Sequence, residues 1–430
     1  MIINKSYFFL LIVFLFFSCG EDRTSEYEQK TNRNHWLLNI MKEYYLWPES
    51  INEDNLNWKD YFSSTADFLK KITKDDDTWS WCSIDTIEED YHQRGYFNHI
   101  NSYGLDFVIF SDPTRATSRQ FARVTNVIKN SPAEKCGLKR GDFIGYIDGV
   151  KFSSSVADKL VNGKSHSLVV YKLSINEDAT EFIWKSEETI QINKSEYVED
   201  IPIPISRIFS VDDKQVAYLM CNRLTSGPEE KNTDSKEYLT SLDQNIHFLK
   251  SYNPTIIILD FRLCNYGNIE MANKLASYML SPTFSSDIFA KIIYNEKRSN
   301  ENKIIYYDKD ALANALGVTD VFCITSEQTQ GAAEWVIRAL SASLGSDHVY
   351  VIGTTTSGQT VITEPIKSDY CATLYPVVAY VADKNDNYNY FSGIIPDYEI
   401  NDVNSVELFP YGDTNEVVLS FILDEIANFF

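Results

Sequence analysis

Four short apolar runs in the second half of the chain limit its fold more than any other feature: QVAYLMC (215–221), TIIILD (255–260), VFCIT (321–325) and HVYVIG (348–353). Each is long enough for a strand, too short for a helix, and predominantly apolar, as suits a strand buried on both faces. Helical spacing separates them, over 236–251, 269–280 and 332–344. A last helix is predicted over 415–429, with Asp413 and Glu416 placed as a capping box. Strands alternating with helices predict an α/β domain with a central sheet over 203–430.

The third run leads into ITSEQTQGAAEWVIRAL, Ile324 to Leu340, a strand end, a polar turn and a buried helix. Hydrolases often set a nucleophile at such a junction, beside free backbone N–H groups. Here the junction holds Gln330, Gly331, Ala332 and Ala333, and none of these side chains can attack a carbonyl.

Two smaller regions precede the α/β part. Over 34–99, HWLLNIMKEYYLW puts Trp36, Leu37, Ile40, Met41 and Tyr44 on one helical face, Pro48 ends it, and a second helix is predicted near 58–72. This reads as a small helical domain. Over 100–200 the chain reads as short strands. Ser131-Pro132 opens a short helix, Gly137 closes it, and Asp148-Gly149 forms a hairpin turn. The order resembles a PDZ domain, with Tyr103, Gly104, Leu105, Asp106 and Phe107 as the carboxylate-binding loop and the strand after it. That resemblance implies capture of a peptide's C-terminus; the alternative is a domain kept as a structural cap.

The first residues read as a targeting signal. Lys5 precedes YFFLLIVFLFF (7–17), too short to span a bilayer, and Ser18-Cys19 follows. This resembles a bacterial lipobox. It implies a signal peptide over 1–18, lipidation of Cys19, a flexible tether over 19–33, and an outer-membrane lipoprotein of the cell envelope, periplasmic or surface-exposed. An ordinary secretory signal is the alternative. With 39 Lys+Arg against 61 Asp+Glu, a net charge of -22 argues against a nucleic-acid partner. The remaining cysteines, Cys82, Cys136, Cys221, Cys264, Cys323 and Cys371, show no metal-ligand spacing, and the six histidines form no cluster, so no metal or cofactor is expected.

Taken in order, LDFR (259–262), MANKLASYML (271–280), ITSEQTQGAAE (324–334), VIGTTTSGQTV (351–361) and GIIPDYEI (393–400) resemble the core of the C-terminal processing, or tail-specific, peptidases of family S41. The resemblance spans nearly the whole mature chain. It implies a crotonase/ClpP-like core carrying a PDZ domain and a helical N-terminal domain. It also implies a serine–lysine dyad with backbone donors for the oxyanion. Counting back from Glu334, the serine position reads Gly331; counting from Gly358, the lysine position reads Gln359. The glycine-rich oxyanion loop reads Asn265, Tyr266 and Gly267, with Ala332 as the residue after the nucleophile position. Ser326 and Thr329 belong to the strand end and are expected to be structural. Thr356 and Ser357 have no base, and Cys264 has no histidine close in sequence. Glu334 and Asp260 are expected to fix loops through hydrogen bonds.

The reading is an S41-fold envelope lipoprotein that binds peptides or protein C-terminal tails without hydrolysing them. An active serine-type endopeptidase with a displaced site is the main alternative. A structural subunit beside an active paralogue is another, and the oligomeric state is left open.

Overall fold

The computed structural model describes residues 24–84, 99–114, 116–176, 182–228, 235–370 and 372–430. The segment read as a signal peptide, Cys19 and Cys371 lie outside them. The described residues divide into two compact units.

One unit joins the residues up to Ile84 with 293–302 and 361–380. Its first helix, α1 (Thr24–Tyr44), begins ten residues before the expected domain start at 34 and takes up most of the stretch expected as a tether. The Lys30–Glu26 ion pair, 2.9 Å at i,i+4, supports the added turns. Leu37, Leu38 and Met41 pack against Phe68, Leu69 and Ile72 of α2 (Thr65–Ile72). The second helix starts at 65 rather than 58 because the Ser64 hydroxyl accepts the Asp67 N–H at 3.1 Å and caps it there; residues 60–62 form a separate 3₁₀ turn. The unit is not purely helical. Strand β1 (Trp81–Ile84) pairs antiparallel with residues 372–375, which pair in turn with 366–368. A contiguous N-terminal domain is therefore corrected to one completed by segments more than 200 residues downstream.

The other unit holds the PDZ-like strands and the α/β core. The strands β2 (Leu105–Ser111), β3 (Gln120–Val127), β4 (Phe143–Ile147), β5 (His166–Ile175) and β6 (Phe182–Ile192) lie side by side in that order, with residues 150–151 also pairing β4. Asp148 and Gly149, at φ 51° and 76°, form the predicted hairpin turn, a type I′ geometry. The Ser131 side chain caps the short helix 132–135.

The core sheet runs β7 (Ile205–Val211), β8 (Lys214–Met220), β9 (Ile256–Asp260), β10 (Asp320–Thr325), β11 (Val349–Gly353) and β12 (Tyr398–Glu399). β7 is antiparallel to β8 and every other pairing is parallel, as the buried apolar runs require. Helices α3 (Glu237–Lys250), α4 (Ile269–Met279), α5 (Ala332–Leu344) and α6 (Val417–Phe429) fall where the spacing placed them. One sheet face, with Val216, Tyr218, Ile258, Phe322 and Ile352, packs against Val418, Leu419, Ile422 and Ile426 of α6. The N-cap of α6 differs from expectation. Glu416 accepts the Leu419 N–H at 3.0 Å and is itself the cap, while Asp413 accepts the Asn415 N–H one turn earlier.

Candidate functional site

β10 enters the polar turn at Thr325, and α5 leaves it at Ala332. Hydroxyls hold the turn to the loop after β9. Ser326 Oγ donates to the Arg262 carbonyl (2.6 Å) and Thr329 Oγ1 to the Phe261 carbonyl (2.9 Å). The Gln330 N–H reaches the Cys264 carbonyl (3.0 Å). The hydroxyls of Ser326 and Thr329 are thus committed to backbone carbonyls. Gly331 then takes φ 55°, ψ −110° as the N-cap of α5. Only glycine adopts that conformation without strain. The backbone makes a sharp strand-to-helix elbow with no side chain at its tip.

Glu334 joins this elbow to the segment after β11. Its carboxylate is fully buried. Oε2 accepts the N–H groups of Gly331 (2.9 Å) and Gln359 (2.8 Å). Oε1 accepts the Gly358 N–H (2.7 Å) and the Thr356 hydroxyl. Burial pushes this carboxyl upward, against the pull of the four donors. Thr356 Oγ1 in turn accepts the Ile394 N–H (2.7 Å). One carboxylate thus fixes both positions that counting from the family pattern singled out, the loop-fixing role expected of it.

Those two positions lie together. A Cβ built on Gly331 would fall 2.8 Å from Gln359 Oε1 and 3.3 Å from its Cδ. The Gln359 carboxamide therefore covers the elbow tip. A carboxamide is not a base, and Gly331 offers no nucleophile.

The expected oxyanion loop also reaches this place. Gly267 has no room for a side chain: its Cβ would meet Ala332 Cβ at 2.5 Å and the Leu224 carbonyl at 2.8 Å. The one glycine kept in the stretch Asn265-Tyr266-Gly267 is the one that packing demands. The half-buried Tyr266 gives its carbonyl to the Leu224 N–H (2.9 Å), and Asn268 caps α4 through the Met271 N–H (2.9 Å). Cys264 is fully buried, and burial drives its thiol pKa far up, which disfavours the thiolate. Cys221 and Cys323 are core residues, and the described cysteines are free thiols.

Sequence reasoning gave Asp260 a part in the support beneath the loop but missed its long-range partners. Asp260, fully buried, takes Tyr218 Oη (2.7 Å) and Arg262 Nη2 (2.7 Å). Burial opposes the Asp260 charge, yet Arg262 holds its carboxyl below the usual range. Arg262 also meets Glu416 (2.8 Å) and Asp402 (2.9 Å), and Arg140 of the PDZ-like part pairs with the same Asp402. LDFR pointed to Asp260 and Arg262, but nothing local marked Asp402 or Glu416.

In the PDZ-like part, β2 is an edge strand, paired with β3 alone among the described strands. Tyr103 is buried, and its N–H donates to the Val161 carbonyl (3.4 Å). The Gly104 N–H donates to Ser102 Oγ (3.0 Å). Leu105 is buried, Phe107 packs against the domain core, and Asp106 accepts from Asn126 Nδ2 (3.1 Å). Two N–H groups of the predicted carboxylate loop are thus already used within the fold.

The sequence matches peptidase family S41 over residues 216–400, the peptidase S41 N-terminal domain over 32–81 and a PDZ domain over 123–172. No protein of curated function matches it. Among solved structures, a protein of Bacteroides fragilis NCTC 9343 named as a candidate S41 protease is 26% identical, with a TM-score of 0.79 over 92% of this chain and 97% of that one. The photosystem II D1 C-terminal processing protease shares the fold, at 15% identity and a TM-score of 0.51, over 93% of this chain and 98% of that one.

Proposed function

The chain is a member of the S41 peptidase family, with that family's core, PDZ domain and N-terminal domain, and from this premise we propose that it binds peptides or protein C-terminal tails without cleaving them. The observation that carries the reading is the contact at the elbow. The serine and lysine positions stand side by side, Gln359 Oε1 2.8 Å from where a Gly331 Cβ would lie, with neither nucleophile nor base. The displaced-site alternative gains no support from Ser326 or Thr329, whose hydroxyls are tied to backbone carbonyls, or from the buried Cys264.

The open edge of β2 supports capture by strand addition, in which a peptide extends the sheet through main-chain hydrogen bonds. A terminal carboxylate there depends on those N–H groups among Leu105, Asp106 and Phe107 that face away from β3. Calorimetry with free-acid and amidated forms of one peptide tests this. The free acid is expected to bind tighter by about 1–2 kcal/mol. Equal affinities would remove the tail-specific part of the reading.

The apolar run 7–17 followed by Ser18-Cys19 supports membrane attachment through a lipid on Cys19. Cys19→Ala is expected to move the protein from the membrane pellet to the soluble fraction. An unchanged distribution contradicts the anchor.

A further inference from the structure

A cleft of about 1210 Å³ opens in the larger unit, away from Gly331, between the PDZ-like residues 126–142 and core residues 197–222 and 406–411. Its volume exceeds that of a usual small-molecule pocket, roughly 300–1,000 Å³, and suits an extended chain.

The charges on its walls are unevenly committed. Three of its carboxylates are engaged: Glu134 accepts the Asn130 N–H (2.5 Å), Asp142 the Lys139 N–H (2.9 Å), and Asp200 the Asn222 Nδ2 (2.9 Å). Glu199 and Glu407 complete the acidic lining. Among the cations, Lys129, Lys139 and Lys185 make no ion pair among the described residues, and Arg207 donates to the Gly412 carbonyl (2.7 Å) rather than to a carboxylate. Lys172 pairs with Asp142 (4.0 Å) and Arg140 with Asp402, so the lining holds six cations against five carboxylates, a local excess of cations in a chain of net charge -22. Asn222, 5% exposed, lines the same cleft, and its buried Oδ1 has no hydrogen-bond partner. A buried acceptor without a donor is costly and marks a place where a donor is to be supplied. Ile201, 43% exposed, adds an apolar surface beside it.

We propose that this cleft binds an extended acidic stretch of polypeptide. The free ammonium groups take its carboxylates, the Asn222 amide oxygen accepts a backbone N–H, and Ile201 supports apolar side chains between the acidic ones. A backbone N–H is what a polypeptide offers and a polyphosphate or sulfated glycan does not. The lining includes neither the elbow nor any β2 residue, although its Asn126 bonds Asp106 of β2, and an internal acidic stretch rather than a chain end is what it would hold, so it goes beyond the proposed function.

The test uses the full mature chain and a labelled peptide alternating Glu and Val, blocked at both ends, followed by fluorescence anisotropy. The blocked ends remove any terminal carboxylate, so failure here leaves tail capture by β2 standing, and the reverse also holds. Binding is expected to weaken with salt. Joint Lys129→Glu, Lys139→Glu and Lys185→Glu is expected to weaken it roughly tenfold or more, three surface pairs being lost. These are solvent-side changes, and circular dichroism confirms that the variant is folded. Asn222→Leu is expected to weaken the peptide while leaving heparin binding unchanged. Equal affinity for a Gln-Val peptide, wild-type affinity in the charge-reversed variant, or peptide binding untouched by Asn222→Leu overturns the proposal; the last outcome indicates a general polyanion surface.

Discussion

Glu334→Gln probes the joint on which the site depends. Each carboxylate oxygen accepts two donors: Gly331 and Gln359 N–H on Oε2, Gly358 N–H and Thr356 hydroxyl on Oε1. Thr356 Oγ1 already accepts the Ile394 N–H, so accepting from an amide as well would take its second lone pair and leave its own O–H without the carboxylate. A glutamine amide keeps one oxygen and turns the other into an NH₂ group, so in either orientation two donors lose their charged acceptor. At about 1.5–3 kcal/mol for each hydrogen bond to a charged group, the loss is roughly 3–6 kcal/mol. Removing a buried charge offsets part of this, which leaves about 3 kcal/mol as the expected destabilisation. Native stabilities run to about 5–15 kcal/mol, so the variant folds but with a visibly lower urea midpoint. Hydrogen exchange gives the local readout: the amides of Gly331, Gly358 and Gln359 are expected to lose protection together. An unchanged midpoint with unchanged exchange at all three would refute the argument that one carboxylate latches both positions.

Three further outcomes follow from the same geometry. Gly331→Ser places a side chain at φ 55°, ψ −110° and pushes Gln359 aside, so a loss of about 1–3 kcal/mol is expected in thermal melts. It is also expected to give no hydrolysis, since no base accompanies the new hydroxyl; turnover by this single variant contradicts the need for one. Gly267→Ala sets a methyl 2.5 Å from Ala332 Cβ and 2.8 Å from the Leu224 carbonyl, and overpacking is expected to cost about 1–3 kcal/mol, whereas wild-type stability would show a loop that yields. The Asp260 carboxyl is held below its usual range, so its contribution is present above about pH 4 and is lost as pH falls through the folded value. Asp260→Asn is expected to flatten the acid limb of urea midpoints measured between about pH 5 and 3, and an unchanged limb contradicts this.

The sequence was most legible where local chemistry decides structure. The apolar runs 215–221, 255–260, 321–325 and 348–353 became β8 to β11 because a strand buried on both faces calls for predominantly apolar residues. Asp148-Gly149 and Ser131 announced a turn and a cap through their own backbone preferences. Counting from Glu334 and Gly358 singled out Gly331 and Gln359, and a Cβ on Gly331 would lie 2.8 Å from Gln359 Oε1. Long-range pairing was not legible. Arg262 meets Asp402 and Glu416 at separations of 140 and 154 residues, with no periodicity to signal it. The start of α1 at Thr24 was hidden because polar residues such as Glu26 and Lys30 read equally well as a solvated tether until their pairing is seen. The N-terminal unit's use of 293–302 and 361–380 is a property of the folded chain, invisible to a pass along it.

The central claim is that a family peptidase frame stands here without its chemistry, and a proteolysis time course tests it most directly. The mature wild-type chain is incubated with an unfolded, fluorescently quenched protein substrate, and new N-termini are counted against a blank. No cleavage above the blank is predicted, because Gly331 and Gln359 supply neither nucleophile nor base. Steady turnover by the wild type, abolished by one of Ser326→Ala, Ser357→Ala or Cys264→Ala, would contradict the account and identify the residue that performs the attack.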